Sequence, residues 1–205
     1  PGSVVNNQIL KKDINNIYAS GLFSGVKFKA EDGNLGVKLI VTITPNPILK
    51  KVVIDQDSEL IPQNFVDKTF SEYYGTTLNL NDLQKRISVL KGWYEDRGYS
   101  LARISGPERI VDNGIIQLQI QEGLVSQIKI RFIDAEEDIQ KSGKTKEWVI
   151  RREMKTVPGS IFNRITLESD IQRLYATSLF NDVKVSLSPD PISSEKVIIT
   201  LDISE

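Results

Sequence analysis

Apolar positions recur along this chain with two periods, one typical of helices and one typical of strands. Three segments place aliphatic residues at i, i+4 and i+7, which lines one face of an α-helix. These triplets are Leu10/Ile14/Ile17, Leu83/Ile87/Leu90 and Leu167/Ile171/Leu174. Each begins four residues after an asparagine, Asn6, Asn79 or Asn163, whose side chain can cap a helix by accepting a backbone N–H. The pattern predicts three amphipathic helices.

A β-hairpin is predicted directly after each helix. A short run of alternating apolar and polar residues leads into a turn cluster, and a second alternating run returns. The first runs are Val26-Lys27-Phe28, Ala102-Arg103-Ile104 and Val183-Lys184-Val185. The turn clusters are Glu31 to Asn34, Asp112 to Gly114 and Ser188 to Pro191. The returning runs are Val37 to Ile43, Ile116 to Ile120 and Val197 to Ile203. This alternation indicates sheets with one buried face and one mostly solvent-exposed face.

Another strand and helix are predicted ahead of the second and third helix-hairpin segments. Leu49 to Ile54 and Ile128 to Phe132 are the strands, and Gln63 to Tyr73 and Thr145 to Lys155 are the helices. Short connections make the first and last strands of each unit parallel, with the last strand in the centre and the hairpin's first strand at an edge. The fold class is therefore α+β, with two helices covering one face of a three-stranded mixed sheet.

These units are copies of one sequence. Residues 1–28 align without a gap on residues 158–185, and a fainter third copy starts at Gly75-Thr76. Matched identities include Pro1-Gly2-Ser3 with Pro158-Gly159-Ser160, Tyr18-Ala19 with Tyr175-Ala176, and Leu22-Phe23 with Leu179-Phe180. The repeat predicts three domains, at residues 1–46, 47–122 and 123–205. The first is expected to lack its first strand and helix.

Composition removes most enzyme and metal classes from consideration. The chain of 205 residues contains no cysteine and no histidine, so catalytic triads and most zinc or iron sites are excluded. A net charge of −1 offers no general attraction for nucleic acid. No nucleotide-binding glycine motif and no membrane-spanning apolar run occur. We expect no catalytic residues, no metal site and no cofactor.

Two other groups of residues have a functional and a structural interpretation. The acidic run from Asp134 to Asp138 could attract a cation, but its ligand spacing is wrong for calcium and a solvated loop is favoured. The pairs Trp93-Tyr94 and Tyr73-Tyr74 are either exposed contacts for a partner or packing residues at helix ends. Packing is favoured for both pairs.

The repeated strand-helix-helix-strand-strand unit resembles POTRA domains over essentially the whole chain. The residues that carry the resemblance are the segment from Gly159-Ser160 through Leu179-Phe180 to Val183, Gly98-Tyr99, and the closing segments Gln119 to Gly123 and Leu201 to Glu205. Tandem units of this kind look like the N-terminal region of BamA-type outer-membrane barrel assembly factors and of the related chloroplast outer-envelope import channel. Three units ahead of a barrel look like the cyanobacterial or plastid branch.

This resemblance implies a function, partners and a location. The expected function is to bind unfolded outer-membrane or imported precursor proteins and to pass them to a covalently linked C-terminal membrane β-barrel, with accessory assembly proteins as further partners. The expected location is the periplasmic side of the outer membrane or the chloroplast intermembrane space. The alternative is a two-partner secretion transporter that exports a polypeptide; such transporters usually have two units rather than three.

Edge strands are the candidate binding sites, because their unpaired backbone groups can accept an added strand from a client of any sequence. The predicted edges run from Val26 to Ala30, Leu101 to Ser105 and Val183 to Leu187. The candidate residues are Val26, Lys27, Phe28, Leu101, Arg103, Val183, Lys184 and Val185. The alternative is that Lys27, Arg103 and Lys184 are solvated charges that discourage pairing.

Two short linkers join the predicted domains. Pro45-Asn46-Pro47 joins the first two, and Glu122-Gly123 with Leu124 joins the last two. Proline restricts its own backbone and that of the preceding residue. We therefore predict that the two junctions differ in mobility, and small-angle scattering that shows equal rigidity at both would contradict this.

Overall fold

The computed structural model describes residues 6–33, 36–55, 58, 60–107, 109–134 and 136–205. Pro1-Gly2-Ser3 and the turn residue Asn34 lie outside the described residues. The chain folds as two compact units, one made of Pro1–Leu90 with Ser105–Gln119 and the other of Lys91–Ile104 with Ile120–Glu205. In the described part of the chain, no helix combines the length and apolarity needed to cross a bilayer.

The N-terminal half of the chain follows the predicted order of elements. These are α1 (Asn7–Ala19), β1 (Phe23–Gly33), β2 (Gly36–Pro45), β3 (Lys51–Ile54), α2 (Gln63–Phe70) extended by a 3-10 turn (Ser71–Tyr73), α3 (Leu80–Asp96), β4 (Arg103–Ser105) and β5 (Ile115–Gln121). Strands β1 and β2 form an antiparallel hairpin. The next sheet has the order β3-β5-β4, with β3 parallel to β5.

The C-terminal half contains β6 (Leu124–Ile133), β7 (Ile139–Gln140), α4 (Glu147–Glu153), α5 (Arg164–Ala176), β8 (Asp182–Pro189) and β9 (Lys196–Ser204). The sheet order is β7-β6-β9-β8. β9 is central, parallel to β6 and antiparallel to β8, as the sequence predicted. Its core residues Ile199, Leu201 and Ile203 are completely buried, and they pack in one cluster with Ile150 of α4 and Leu174 of α5.

All three predicted asparagine caps are confirmed. Asn6 accepts a hydrogen bond from the Gln8 backbone N–H, and Asn163 accepts one from Thr166. Asn79 Oδ1 accepts from the N–H of Asn81 at 2.8 Å. The caps fix where α1, α3 and α5 begin, because each satisfies a backbone donor that has no partner inside its helix.

Three details differ from the sequence prediction. The last sheet has a fourth strand, the two-residue β7, which pairs with the end of β6. β4 is only three residues long: Leu101 and Ala102 lie in a turn closed by the Ala102 N–H and the Tyr99 carbonyl, so they are not part of the strand. α1 has no buried residue among those described, although its triplet predicted a covered face.

Candidate polypeptide-binding edges

The outer edge of β8 exposes the backbone groups of alternate residues. In an antiparallel pair, successive residues direct their N–H and C=O alternately toward and away from the partner strand. The Asp190 N–H donates to the Lys196 carbonyl at 3.0 Å, which places the even-numbered residues toward β9. The backbone N–H and C=O groups of the odd-numbered residues Val183, Val185 and Leu187 are therefore directed away from β9. Among the described residues, no strand covers this side of β8.

The outer edge of β1 is built in the same way. β1 pairs only with β2 among the described strands, in a register that aligns Val26 with Ile43 and Phe28 with Val41. The Val26 N–H donates to the hydroxyl of Tyr18, a residue of α1, so the backbone groups of Val26 face away from β2. By alternation, Phe28 and Ala30 face the same way. The structure thus places predicted edge residues Val26 to Ala30 within one continuous strand.

The third predicted edge, at Leu101 and Arg103, forms the wall of a groove. Leu101 precedes β4 and Arg103 opens it, so only Arg103 of the two belongs to a strand. Both line an open groove of about 280 Å³ together with Leu187 and Pro189 at the end of β8. All of these residues belong to the second compact unit. A short strand beside a groove offers fewer backbone groups for strand addition than β1 or β8.

Lys184, a predicted edge cation, forms an ion pair. Its Nζ donates to the Glu137 carboxylate, which raises the pKa of Lys184 above the usual value for lysine. Lys27 is exposed on β1, and Lys29 two residues later pairs with Glu31 at 2.9 Å. The Lys184 side chain is thus directed to its acidic partner, on the sheet face opposite the one from which Val183 and Val185 pack against the core.

The first predicted linker is held by hydrogen bonds. The Leu80 N–H, at the start of α3, donates to the carbonyl of Gly21, which follows α1, at 2.8 Å. Asn79 Nδ2 donates to the Ser20 carbonyl at 3.1 Å. Asn46, only 4% exposed, donates through Nδ2 to the same Gly21 carbonyl at 2.9 Å. The end of α1 is thus joined to the start of α3.

The second linker region repeats this arrangement. The Arg164 N–H donates to the Gly98 carbonyl at 2.8 Å, and Asn163 Nδ2 donates to the Arg97 carbonyl at 2.8 Å. Glu122 takes the place of Asn46 and is also buried. Whether the two junctions differ in mobility stays a prediction, to be measured by scattering as described above.

Buried polar contacts also fix the second linker. The Tyr94 hydroxyl donates to Glu122 Oε1 at 2.8 Å, and the Tyr94 ring is completely buried against Trp93 and Tyr99. The Phe162 N–H donates to the Gly123 carbonyl at 2.8 Å. These contacts support the packing interpretation of the Trp93-Tyr94 pair, because Tyr94 has no surface to offer a partner.

The acidic run forms a hydrogen-bonded turn. Asp134 Oδ1 accepts from the N–H of Glu136 at 3.0 Å and of Asp138 at 2.9 Å, while its Oδ2 accepts from Gln140 Nε2 at 2.6 Å. No group of three or more acidic residues among those described is arranged to hold a metal ion. Both Asp134 oxygens are therefore already used within the turn.

Sequence reasoning missed two kinds of residue at these sites. Tyr18 and Tyr175 donate or accept at the strand edges, and Gly21 and Gly98 lie at the two helix joints. The available signal was the repeat itself, since Tyr18 aligns with Tyr175. Repeated identity alone did not reveal which backbone groups the tyrosines contact.

Comparison with known proteins gives consistent matches along the chain. Residues 48–123 match the family model described as "POTRA domain, ShlB-type", and residues 137–205 match the POTRA model described as "Surface antigen variable number repeat". POTRA1-3 of the periplasmic domain of Omp85 from Anabaena is 37% identical, with a TM-score of 0.91, over 100% of this chain and 84% of that one. The N-terminal domain of Omp85 from Thermosynechococcus elongatus is 35% identical, with a TM-score of 0.86, over 100% and 86%.

A curated plant relative matches at lower identity. Outer envelope protein 80 of the chloroplast from Oryza sativa is 27% identical over 100% of this chain. The chain spans 30% of the length of that relative and 24% of its Arabidopsis thaliana counterpart. The matched region is thus a part of these longer proteins.

Proposed function

Because the chain belongs to the POTRA region of the Omp85 family of outer-membrane proteins, we propose that it binds unfolded precursor polypeptides and passes them to a membrane β-barrel of the same protein. Its relatives include cyanobacterial Omp85 and the plant chloroplast outer envelope proteins. The proposed location is the periplasm or the corresponding chloroplast intermembrane space. Accessory assembly proteins are further proposed partners.

We propose three POTRA units, at residues 1–46, 47–122 and 123–205. The family match over residues 48–123 ends one residue beyond the second proposed unit, and the match over residues 137–205 lies within the third. The separate sheets β1-β2, β3-β5-β4 and β7-β6-β9-β8 support the same division. The chain is proposed to act by binding and positioning, without catalysis.

The observation that carries the binding proposal is the open edge of β8. Val185 and Leu187 direct N–H and C=O groups away from β9, and neither has a backbone partner there among the described residues. A client segment in extended conformation satisfies these groups by adding one strand, whatever its side chains are. Such tolerance suits a receptor for many unfolded precursors.

Photo-crosslinking tests this proposal. A benzoylphenylalanine at Ser186 or Ser188, both exposed on β8, is expected to label a urea-unfolded outer-membrane barrel precursor after dilution. The matched control is Gln172, which is exposed on α5. We expect labelling at the β8 positions to exceed labelling at Gln172 by about tenfold, the ratio that corresponds to roughly 1.4 kcal/mol of preference. Equal labelling of strand and helix would exclude strand addition.

A further inference from the structure

Two side chains, one at the start of α2 and one after its 3-10 extension, close the outer edge of β3. This strand lies at one side of its sheet, and its outward groups would otherwise be open. The Val52 N–H donates to the Tyr74 hydroxyl at 3.3 Å, and Gln63 Nε2 donates to the Val52 carbonyl at 2.8 Å. The Ile54 N–H donates to Gln63 Oε1 at 3.3 Å. Side chains that follow or open α2 thus occupy the positions where an added strand would bind.

Among the described residues, side chains close the edge of β8 at one position, Val183. The Val183 N–H donates to the Tyr175 hydroxyl at 3.0 Å and to Asp182 Oδ1 at 2.8 Å. The Tyr175 hydroxyl donates in turn to the same Asp182 oxygen at 2.9 Å. Tyr175 is on α5 and is 41% exposed, so this closure lies at the surface where a client would approach.

The same closure occurs in the first repeat. Tyr18 aligns with Tyr175 and Val26 aligns with Val183, and the Val26 N–H donates to the Tyr18 hydroxyl at 3.2 Å. Gly25 stands at the position of Asp182, so the first repeat has the tyrosine without the carboxylate. Two copies of one contact, at matching positions of two edge strands, indicate that the closure belongs to the repeat.

We propose that Tyr175, with Asp182, sets the register in which an extended polypeptide adds to β8, by occupying the Val183 N–H so that the new ladder forms on Val185 and Leu187. This inference rests on the proposed function. The opposite end of the ladder is set by Pro189. It is the next residue after Leu187 whose backbone faces away from β9, and it has no N–H to donate. In the part of the chain that the structure describes, the outward N–H groups of Val185 and Leu187 therefore remain, enough for a short added strand.

The side chains beside this ladder favour an apolar client residue at its end. Leu187 is 44% exposed, and it lines the groove formed with Leu101 and Pro189. A client strand paired at Leu187 directs every second side chain toward the same face of the sheet as this groove. The expected occupant is therefore an extended segment that alternates apolar and polar residues, as barrel strands do.

Nuclear magnetic resonance with a synthetic probe tests the register. The probe is a nine-residue peptide of alternating Val and Thr, acetylated and amidated, with a nitroxide on its first residue. On the unmodified chain we expect slower amide exchange at Val185 and Leu187 after peptide addition, and no change at Val183. In Tyr175→Phe/Asp182→Ala we expect Val183 to join the ladder, roughly fivefold tighter peptide binding, and a shift of the paramagnetic broadening by two residues, or about 7 Å.

Two further variants keep the test independent of one substitution. Leu187→Pro removes an outward N–H while leaving the ladder to β9 intact, and it is expected to weaken peptide binding about fivefold. Tyr18→Phe frees the matching Val26 N–H on β1 and is expected to speed its exchange without added peptide. Unchanged peptide binding by Leu187→Pro, or unchanged Val26 exchange, would count against the inference.

The outcomes separate this inference from the proposed function. Peptide that protects Val185, Leu187 and Val183 alike on the unmodified chain overturns the register inference and leaves strand addition standing. The same conclusion follows if Tyr175→Phe/Asp182→Ala binds with unchanged register and affinity. Peptide binding that changes none of the three amides, or no binding at all, overturns both.

Discussion

Asp170→Ala is expected to lower the free energy of unfolding of the second compact unit by about 2–4 kcal/mol, because two backbone donors lose a charged acceptor. Asp170 lies on α5 and is completely buried. Its two oxygens accept from the N–H groups of Lys155 at 2.9 Å and Thr156 at 2.8 Å, just beyond the end of α4. Its Oδ1 also accepts from Arg173. The substitution leaves the two backbone donors without their acceptor. The Arg173 guanidinium loses its carboxylate partner but keeps its bonds to the Glu153 carbonyl and the Ser169 hydroxyl.

Urea unfolding and amide exchange of α4 and α5 measure this effect. The matched control is Glu168→Ala on the same helix, which removes an exposed carboxylate paired with Arg164 at 2.6 Å. Exposed pairs of this kind contribute about 0–1 kcal/mol. A loss for Asp170→Ala no larger than that for Glu168→Ala would show that the buried carboxylate does not hold α5 to the end of α4.

The repeat places different chemistry at this one helix position. Arg86 of α3 occupies the place of Asp170 relative to its cap, since Asn79 corresponds to Asn163. Its Nη2 donates to the Tyr73 hydroxyl at 2.8 Å, in the 3-10 turn that follows α2. Both side chains therefore connect the second helix of a repeat to the end of the first. The sequence could not predict this, because an anion and a cation at matched positions suggest no common partner.

Helices and strand order were predictable because they depend on local rules. Asn79 and Asn163 mark helix starts by satisfying nearby backbone donors, and short connections make β6 parallel to β9. β7 was missed because two residues are too few to show alternation. Its pairing with β6 depends on a turn in which Asp134 accepts backbone N–H groups, and such contacts do not follow from residue spacing.

The candidate edges were only partly predictable from the sequence. Alternation from Val183 to Leu187 identified the strand, and connectivity placed it at the edge of its sheet. Which of its N–H groups stay open depends on where the Tyr175 hydroxyl lies, since that contact joins a helix to a strand seven residues or more away. Lys184 similarly drew attention as an edge cation, yet its partner Glu137 comes from a distant turn.

Gly98→Ala is expected to cost about 2–4 kcal/mol in the second compact unit, from backbone strain together with loss of a helix cap. Gly98 has φ of +86°, a conformation that alanine adopts only with strain. A Cβ there would lie 2.7 Å from Asn163 Oδ1 and 2.9 Å from Ile165 Cγ1. Asn163 must move, which breaks its bonds to the Thr166 N–H and the Arg97 carbonyl. The joint between α3 and α5 is then lost.

Gly159→Ala separates the two causes of this loss. Gly159 has nearly the same φ, +87°, but open space where a Cβ would stand, so only the strain of about 1–2 kcal/mol applies. Urea unfolding compares the two variants, and amide exchange at Arg164, whose N–H donates to Gly98, reports on the joint itself. We expect faster Arg164 exchange only in Gly98→Ala. Equal stability losses with unchanged Arg164 exchange in both variants would show that close contact at Gly98 is not what holds α3 to α5.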